Sequence, residues 1–351
     1  MRKISRLGIQ DMANLLTMRK KNHQHTVLLL GARAGQLFRS ADFYDNLRQV
    51  SKRNFHQLSR IKQFHECYSI LTNDTKLSER DLHSILQDSL KNLLVTNADA
   101  CLASLIRHQY FDEILSTNID EVLDDALAQT EMKAGRDYQV MSIGRNSLQD
   151  EKSCFCRITK VFGDVVSREY TVRERASRLE NPELKSFLQK LLGKDLLIVG
   201  LDPIWDHDIP RVIPMNTKAT LWFVSEDNDI MGKSPFLPDI LRARHAGYIL
   251  GREGSYDQFV RKLHECLYGN ISPNYQSAHS QTLENIQNQV DRMANLILSI
   301  EVQLKNVITL QLGTNDQLQG LQNDHQALFG EIQQLRNELE EIKSRERDLQ
   351  N

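Results

Sequence analysis

Residues 26–38, from Thr26 to Phe38, read T-V-L-L-L-G-A-R-A-G-Q-L-F, and the fold turns on them. Val27 to Leu30 are four apolar residues in a row, the short run of a strand buried on both faces of a parallel sheet. Gly31 follows at once, and Ala32, Arg33 and Gly35 carry the chain toward a helix. At a strand-to-helix turn of this kind, open α/β sheets hold a pyrophosphate against backbone N–H groups and the positive end of a helix dipole.

Runs of the same character recur down the chain. Phe111, Ile114 and Leu115 predict a strand ending at Ser116-Thr117, and Tyr138 to Ile143 and Cys154 to Val161 predict two more. Asp195 to Gly200 (D-L-L-I-V-G), Ala219 to Ser225 and Ala246 to Leu250 complete the set. Helical periodicity lies between them. It covers Ile9 to Thr17, then a polar-rich stretch from Asp42 to Gln109, then the stripe of Leu184, Phe187, Leu188, Leu191 and Leu192, and finally Tyr256 to Leu267. Within the long stretch, Ser78 with Asp81 three residues on reads as a helix N-cap. Strands alternating with helices imply an α/β fold with a Rossmann-like, mostly parallel sheet over residues 1–269, interrupted by a helical insertion at about 42–109.

The chain has 351 residues with 44 basic and 46 acidic side chains, a formal net charge of -2, so no global field draws it to nucleic acid or an anionic membrane. No apolar run reaches bilayer-spanning length and no signal-type apolar core follows the basic start, so the expectation is a soluble, cytoplasmic protein. The five cysteines lack metal-ligand spacing, and Cys154 and Cys156 read as small hydrophobes on one strand face. Arg19, Lys20, Lys21, His23 and His25 read as a solvated turn before the first strand.

Thr117, Asn118 and Asp120 fall at the C-terminal edge of a strand, where such sheets bind ligands. The same residue types cap the helix that follows, and that reading competes. Asp202, Asp206 and Asp208 share a loop with Pro203 and Trp205 and lack a fixed ligand spacing, which favours turn and cap roles over a cation site.

Taken in order, these segments resemble the sirtuin-like NAD-binding family, particularly its branch in bacterial defence proteins. Four of them, between Ile9 and about Tyr268, carry the resemblance: the glycine turn, S-T-N-I-D (Ser116 to Asp120), K-V-F-G-D (Lys160 to Asp164) and L-L-I-V-G (Leu196 to Gly200). S-T-N-I-D is similar to the family's T-x-N-x-D motif, and K-V-F-G-D stands where the family has K-L-H-G. The resemblance implies a nucleotide site built on Gly31, Ala32, Arg33, Gly35, Thr117, Asn118, Asp120 and Gly200. If a ligand is retained it is NAD or ADP-ribose, and Asn118 is the catalytic candidate if the site is active.

The departures point the other way. The family's turn reads G-A-G-x-S; here Arg33 replaces the second glycine and Gly35 stands in place of serine. A long side chain therefore occupies a position where bare backbone meets phosphates, unless the guanidinium itself takes the phosphate. Phe162 replaces the family's catalytic histidine, and losing a positioned general base costs on the order of 100- to 10,000-fold in rate. No cysteine quartet is present for the structural zinc of many sirtuins.

Beyond a polar linker at 270–281, a heptad register runs through residues 282–351 and predicts a long α-helical coiled coil. One core position includes Ile286, Leu321, Leu328, Leu335 and Ile342; the other includes Val290, Leu304, Leu318, Ile332 and Leu339. As a single rod the stretch from Ile286 to Leu349 spans about 95 Å, while Gly313 followed by Thr314 to Gln317 offers a stop and restart for a hairpin. Together these features favour a non-catalytic, sirtuin-like assembly or regulatory protein that self-associates through residues 282–351 or captures another protein through them. Nucleic acid and membrane are not expected partners. The alternatives are an NAD-hydrolysing defence enzyme with an atypical site, and an inert structural protein of a filament or phage-like assembly.

Overall fold

The computed structural model describes residues 5–73, 77–91, 94–143, 154–269 and 315–350; in the last of these, side chains are described for 325–341 and 343. The chain divides into two units, Met1–Tyr275 and Gln276–Asn351.

The first unit is an α/β fold on one eight-stranded sheet. In chain order its strands are β1 (Ser5–Arg6), β2 (Val27–Leu30), β3 (Glu113–Ser116), β4 (Tyr138–Ser142) and β5 (Cys156–Lys160). A separate antiparallel hairpin of β6 (Gly163–Asp164) and β7 (Glu169–Tyr170) follows. β8 (Leu196–Val199), β9 (Thr220–Ser225) and β10 (His245–Leu250) return to the sheet. The order across it is β1-β10-β9-β8-β2-β3-β5-β4, and every neighbouring pair is parallel. β2 sits centrally with β3 on one side and β8 on the other, so the topological switch point lies at the end of the opening apolar run.

The four residues of β2 show why this strand anchors the fold. Val27 and Leu29 enter one buried cluster, Leu28 and Leu30 the cluster on the opposite face. Both faces of the sheet are therefore covered, as an all-parallel sheet requires. Burying each such side chain contributes about 1.5–3 kcal/mol.

On one face pack α1 (Ile9–Lys21), α6 (Asn97–Arg107) and, closing the unit, α13 (Tyr256–Tyr268). Among the described residues, the regular elements between β2 and β3 are all helical: α2 (Gln36–Arg39), α3 (Ala41–Ser51), α4 (Arg60–Asn73) and α5 (Glu79–Leu90) precede α6. Ser78 caps α5 in a reciprocal box with Asp81, as the sequence implied. The remaining helices are α7 (Val122–Gln129), α8 (Arg175–Leu179), α9 (Pro182–Leu192), α10 (Ile209–Val212), α11 (Ile230–Lys233) and α12 (Leu237–Ala243). The apolar stripe of α9 is buried as its spacing predicts.

Three details differ from the sequence reading. Arg19, Lys20 and Lys21 belong to the last turn of α1, not to a loop, and Arg19 reaches Asp195 at 2.5 Å. Cys154 precedes β5 while Cys156 is buried within it, so the two do not share a strand face. β1 has no apolar run at all; it is a strand because Ser5 and Arg6 pair with Gly247 and Tyr248 of β10.

In the second unit, α14 (Asn315–Gln350) has 36 residues, about 54 Å of helix. Ile332 and Leu339, seven residues apart in one predicted core position, are 7% and 4% exposed, whereas Leu328 and Leu335 of the other position are 49% and 44% exposed. The predicted linker at 270–281, the heptads from Ile286 to Val307 and the Gly313-Thr314 stop lie outside the described residues. No helix among the described residues is long and apolar enough to cross a membrane.

Candidate functional site

Loops after β2, β3, β8 and β9 converge at the C-terminal edge of the sheet. The loops after β2 and β8 close against each other through glycine. Gly31 donates its N–H to the Val199 carbonyl and Arg33 donates its N–H to the Gly200 carbonyl, both at 2.9 Å. Gly200 adopts a positive φ of 73°, which side-chain-bearing residues rarely tolerate, and a Cβ at Gly31 would overlap the Leu201 backbone. Residues Ala32–Ala34 form a single 3-10 turn, and the helix proper starts only at Gln36.

The donors of this turn are already in use. Asp206 Oδ2 accepts from the backbone N–H of Ala32 at 2.8 Å and from that of Asp202 at 2.9 Å. Asp120 Oδ2 accepts from the N–H of Gln36, the first residue of α2, at 2.8 Å. Two carboxylates of the protein thus stand where a strand-to-helix turn attracts an anion. Burial pushes both carboxyls above their ordinary range. Opposing it are the Arg175 guanidinium, 4.0 Å from Asp206, and the backbone N–H groups.

Arg33 does not reach out toward a phosphate. Its side chain is 2% exposed and turns inward, with Nε 2.7 Å from Asp202 Oδ2. Its terminal nitrogens lie 3.8 Å from Glu226 Oε1 and 3.6 Å from Asp227 Oδ2, on the loop after β9. His65 Nε2 of α4 approaches the same Asp202 oxygen at 3.0 Å. The other oxygen of Asp202 accepts the N–H groups of Ile204 and Trp205, each at 2.9 Å. Burial by itself would raise the Asp202 pKa, but the His65 hydrogen bond and the charge of Arg33 outweigh it and hold the carboxyl at about 2.

Asn118 is held against the turn, with Nδ2 donating to the Gly31 carbonyl at 3.2 Å. Thr117 extends the β2–β3 pairing, its N–H donating to the Leu30 carbonyl at 3.0 Å. The expected cap role of Asp120 is divided. Its bond to Val122 at the start of α7 is long, 3.4 Å, and the shorter one goes to Gln36 in a different helix. Asp202 fills the expected turn role, whereas Asp206 bonds across the cleft to the first turn.

Phe162 does not face a cleft. It is fully buried in the main core, and the guanidinium of Arg175 lies 4.2 Å from its ring centroid. Arg175 in turn donates to the Trp205 carbonyl at 2.9 Å. The position at which the resemblance expects a proton acceptor is therefore an apolar ring under a buried cation.

The sequence residues assigned to the site do come together, since Gly31, Ala32, Arg33, Gly35, Asn118, Asp120 and Gly200 are joined by the contacts above. Sequence reasoning missed Arg175, His65 and Glu226, and missed Asp206 as the acceptor of the turn. The aspartate-rich loop after Gly200 was visible, but nothing local tells which carboxylate reaches back 174 residues.

No family model and no curated protein matches the chain. Solved structures do. The chain is similar to "Structural Basis for the Mechanism and Regulation of Sir2 Enzymes" at 13% identity, covering 74% of this chain and 96% of that one, with a TM-score of 0.37. It is similar to a Sir2 homolog–NAD complex at 11% identity, covering 76% of this chain and 97% of that one, with a TM-score of 0.39. A third, "The Structural basis of Sirtuin Substrate Affinity", has 14% identity, coverage of 74% and 99%, and a TM-score of 0.34.

Proposed function

We propose that the α/β unit is a non-catalytic, sirtuin-like module that has kept the architecture of a dinucleotide cleft and filled the phosphate position with its own side chains. One observation carries this reading: Asp206 Oδ2 bonds the N–H groups of Ala32 and Asp202. A bound pyrophosphate needs those donors free, and it would have to enter beside Asp206 and the strongly ionised Asp202. The guanidinium able to offset this charge is turned inward to Asp202. Phe162 supplies no proton acceptor at the position the motif resemblance assigns to the base.

On this reading the chain's work is done by association. The C-terminal heptads drive self-association or capture of another protein, supported by Leu328 and Leu335, which lie seven residues apart in one heptad position and are exposed in the single chain. The motif resemblance to defence proteins adds the setting, a bacterial anti-phage system. The experiment is a calorimetric titration of the full chain with NAD and with ADP-ribose, alongside an assay for released nicotinamide. The reading expects neither binding nor release. Saturable binding with turnover would replace it with an NAD-hydrolysing enzyme.

A further inference from the structure

Another concave surface adjoins the filled turn on the side of Asp120, between α7, the edge strand β4 and the β6–β7 hairpin. It is an open groove of about 750 Å³ that carries three carboxylates, Glu121, Asp124 and Asp164, and an apolar wall of Tyr138 and Val140. A smaller pocket of about 110 Å³ adjoins it, sharing Glu121 and Val166 and adding Asp120 and Asp125. Among the described residues that line the two, none is basic.

The groove's polar groups are incompletely satisfied. Ser142, at the C-terminal end of β4, lines it and is 7% exposed, yet its hydroxyl has no hydrogen-bond partner. One oxygen of Asp124 is buried and likewise unpartnered. A buried polar atom without a partner costs about 1–3 kcal/mol, so a structure carrying two of them at the wall of a groove is built to receive a donor. The cation that pairs with these carboxylates among the described residues is Lys160, itself 3% exposed and committed to Asp164 at 2.6 Å and Asp124 at 3.2 Å. Burial raises the carboxyls of Asp124, Glu121 and Asp125 above their usual range, and a cation beside them favours their charged form.

We infer that this groove binds a small linear polyamine, with its ammonium groups on Asp124, Glu121 and Ser142 and its methylene chain along Tyr138 and Val140. Ammonium groups supply donors to the unpartnered hydroxyl and carboxylate, and the alkyl spacers suit the apolar wall. A bare divalent ion can take the same oxygens but leaves the apolar wall of Tyr138 and Val140 uncovered.

The test is a calorimetric titration of the full chain with spermidine, repeated on Asp124→Asn, Glu121→Gln, Ser142→Val and, as a distant control, Asp42→Asn. The inference expects saturable single-site binding, weakened about tenfold or more by each groove substitution as a charge-assisted hydrogen bond is lost, and unchanged by the control. Glu121→Gln, at a less buried position, keeps the test decisive if Asp124→Asn unfolds, and melting curves show which variants are folded. Absence of saturable heat overturns the inference. So does weakening by the distant substitution as large as that by Glu121→Gln, or equal binding and displacement by magnesium ion. Binding of a lysine-rich peptide without binding of spermidine also overturns it.

Discussion

Asp206 Oδ2 lies 2.8 Å from the backbone nitrogen of Ala32 and accepts its hydrogen bond. Ala32 belongs to the glycine turn and Asp206 to the loop after β8, so the bond ties together two loops at the C-terminal edge of the sheet. On the proposed reading, this internal carboxylate stands in for an external anion at the turn.

Removing that anion exposes the donors. Asp206→Ala leaves the N–H groups of Ala32 and Asp202 without acceptors and deprives Arg175 of a charge partner. The expected destabilisation is about 2 kcal/mol or more, while Asp206→Asn, which keeps an acceptor oxygen, costs less. Urea denaturation of the two variants, read as a shift in midpoint at constant slope, checks the difference.

Arg33 neutralises Asp202 at 0% exposure of the carboxylate. Arg33→Met leaves that buried charge with only His65 and is expected to cost about 3–5 kcal/mol, the penalty for breaking a buried pair from one side. Arg33→Gly restores the glycine that the motif resemblance expects, but it does not restore nucleotide binding, because Asp206 still occupies the turn. NAD binding that returns in Arg33→Gly alone would mean that the arginine, and not the carboxylate, closes the site.

The acid limb of stability carries the signature of Asp202. Its pKa is held at about 2 in the folded protein, below the ordinary carboxyl value of about 3.9. Its contribution is therefore complete above about pH 4 and is lost as the pH falls through about 2. Asp206 and Asp120 oppose this: burial raises them, so their contribution is present at low pH and lost as the pH rises. His65→Ala removes the largest group that lowers Asp202, so the loss of stability on acidification is smaller and is complete at a higher pH than in the natural chain. Melting temperatures between about pH 5 and about pH 2 measure the displacement.

Phe162→His tests whether one substitution regenerates an active base. The ring is 0% exposed and sits beneath the Arg175 guanidinium. An imidazole there loses apolar contact and meets a cation, at an expected cost of about 2 kcal/mol or more, with no nicotinamide release. Melting of the variant and a cleavage assay at high protein concentration give the two readouts.

Self-association through the C-terminal unit predicts that Leu328→Asp combined with Leu335→Asp, at heptad positions exposed in the single chain, lowers the solution mass. Sedimentation equilibrium of the natural chain and the double variant decides it. An unchanged mass removes coiled-coil assembly from the account.

Much of the sheet was legible because its strands are short apolar runs bounded by glycine or polar turns, and β2, β8 and β9 fall within a residue or so of their predicted bounds. The α5 cap was legible because Ser78 and Asp81 act within one helical turn. β1 was not, since Ser5 and Arg6 are strand only through pairing with residues far along the chain. The site divides along the same line. Gly31, Asn118 and Asp120 follow from local motifs, whereas the acceptor on Ala32 and the cation over Phe162 are long-range choices among several aspartates and arginines of similar local context.

The central claim is that an internal carboxylate has taken the phosphate position, and one titration addresses it most directly: ADP-ribose into the natural chain and into the Arg33→Gly, Asp206→Ala double variant, followed by calorimetry. The account predicts no saturable binding to the natural chain and measurable binding once both groups are removed. Tight binding to the natural chain, weakened by Asp206→Asn, would contradict it.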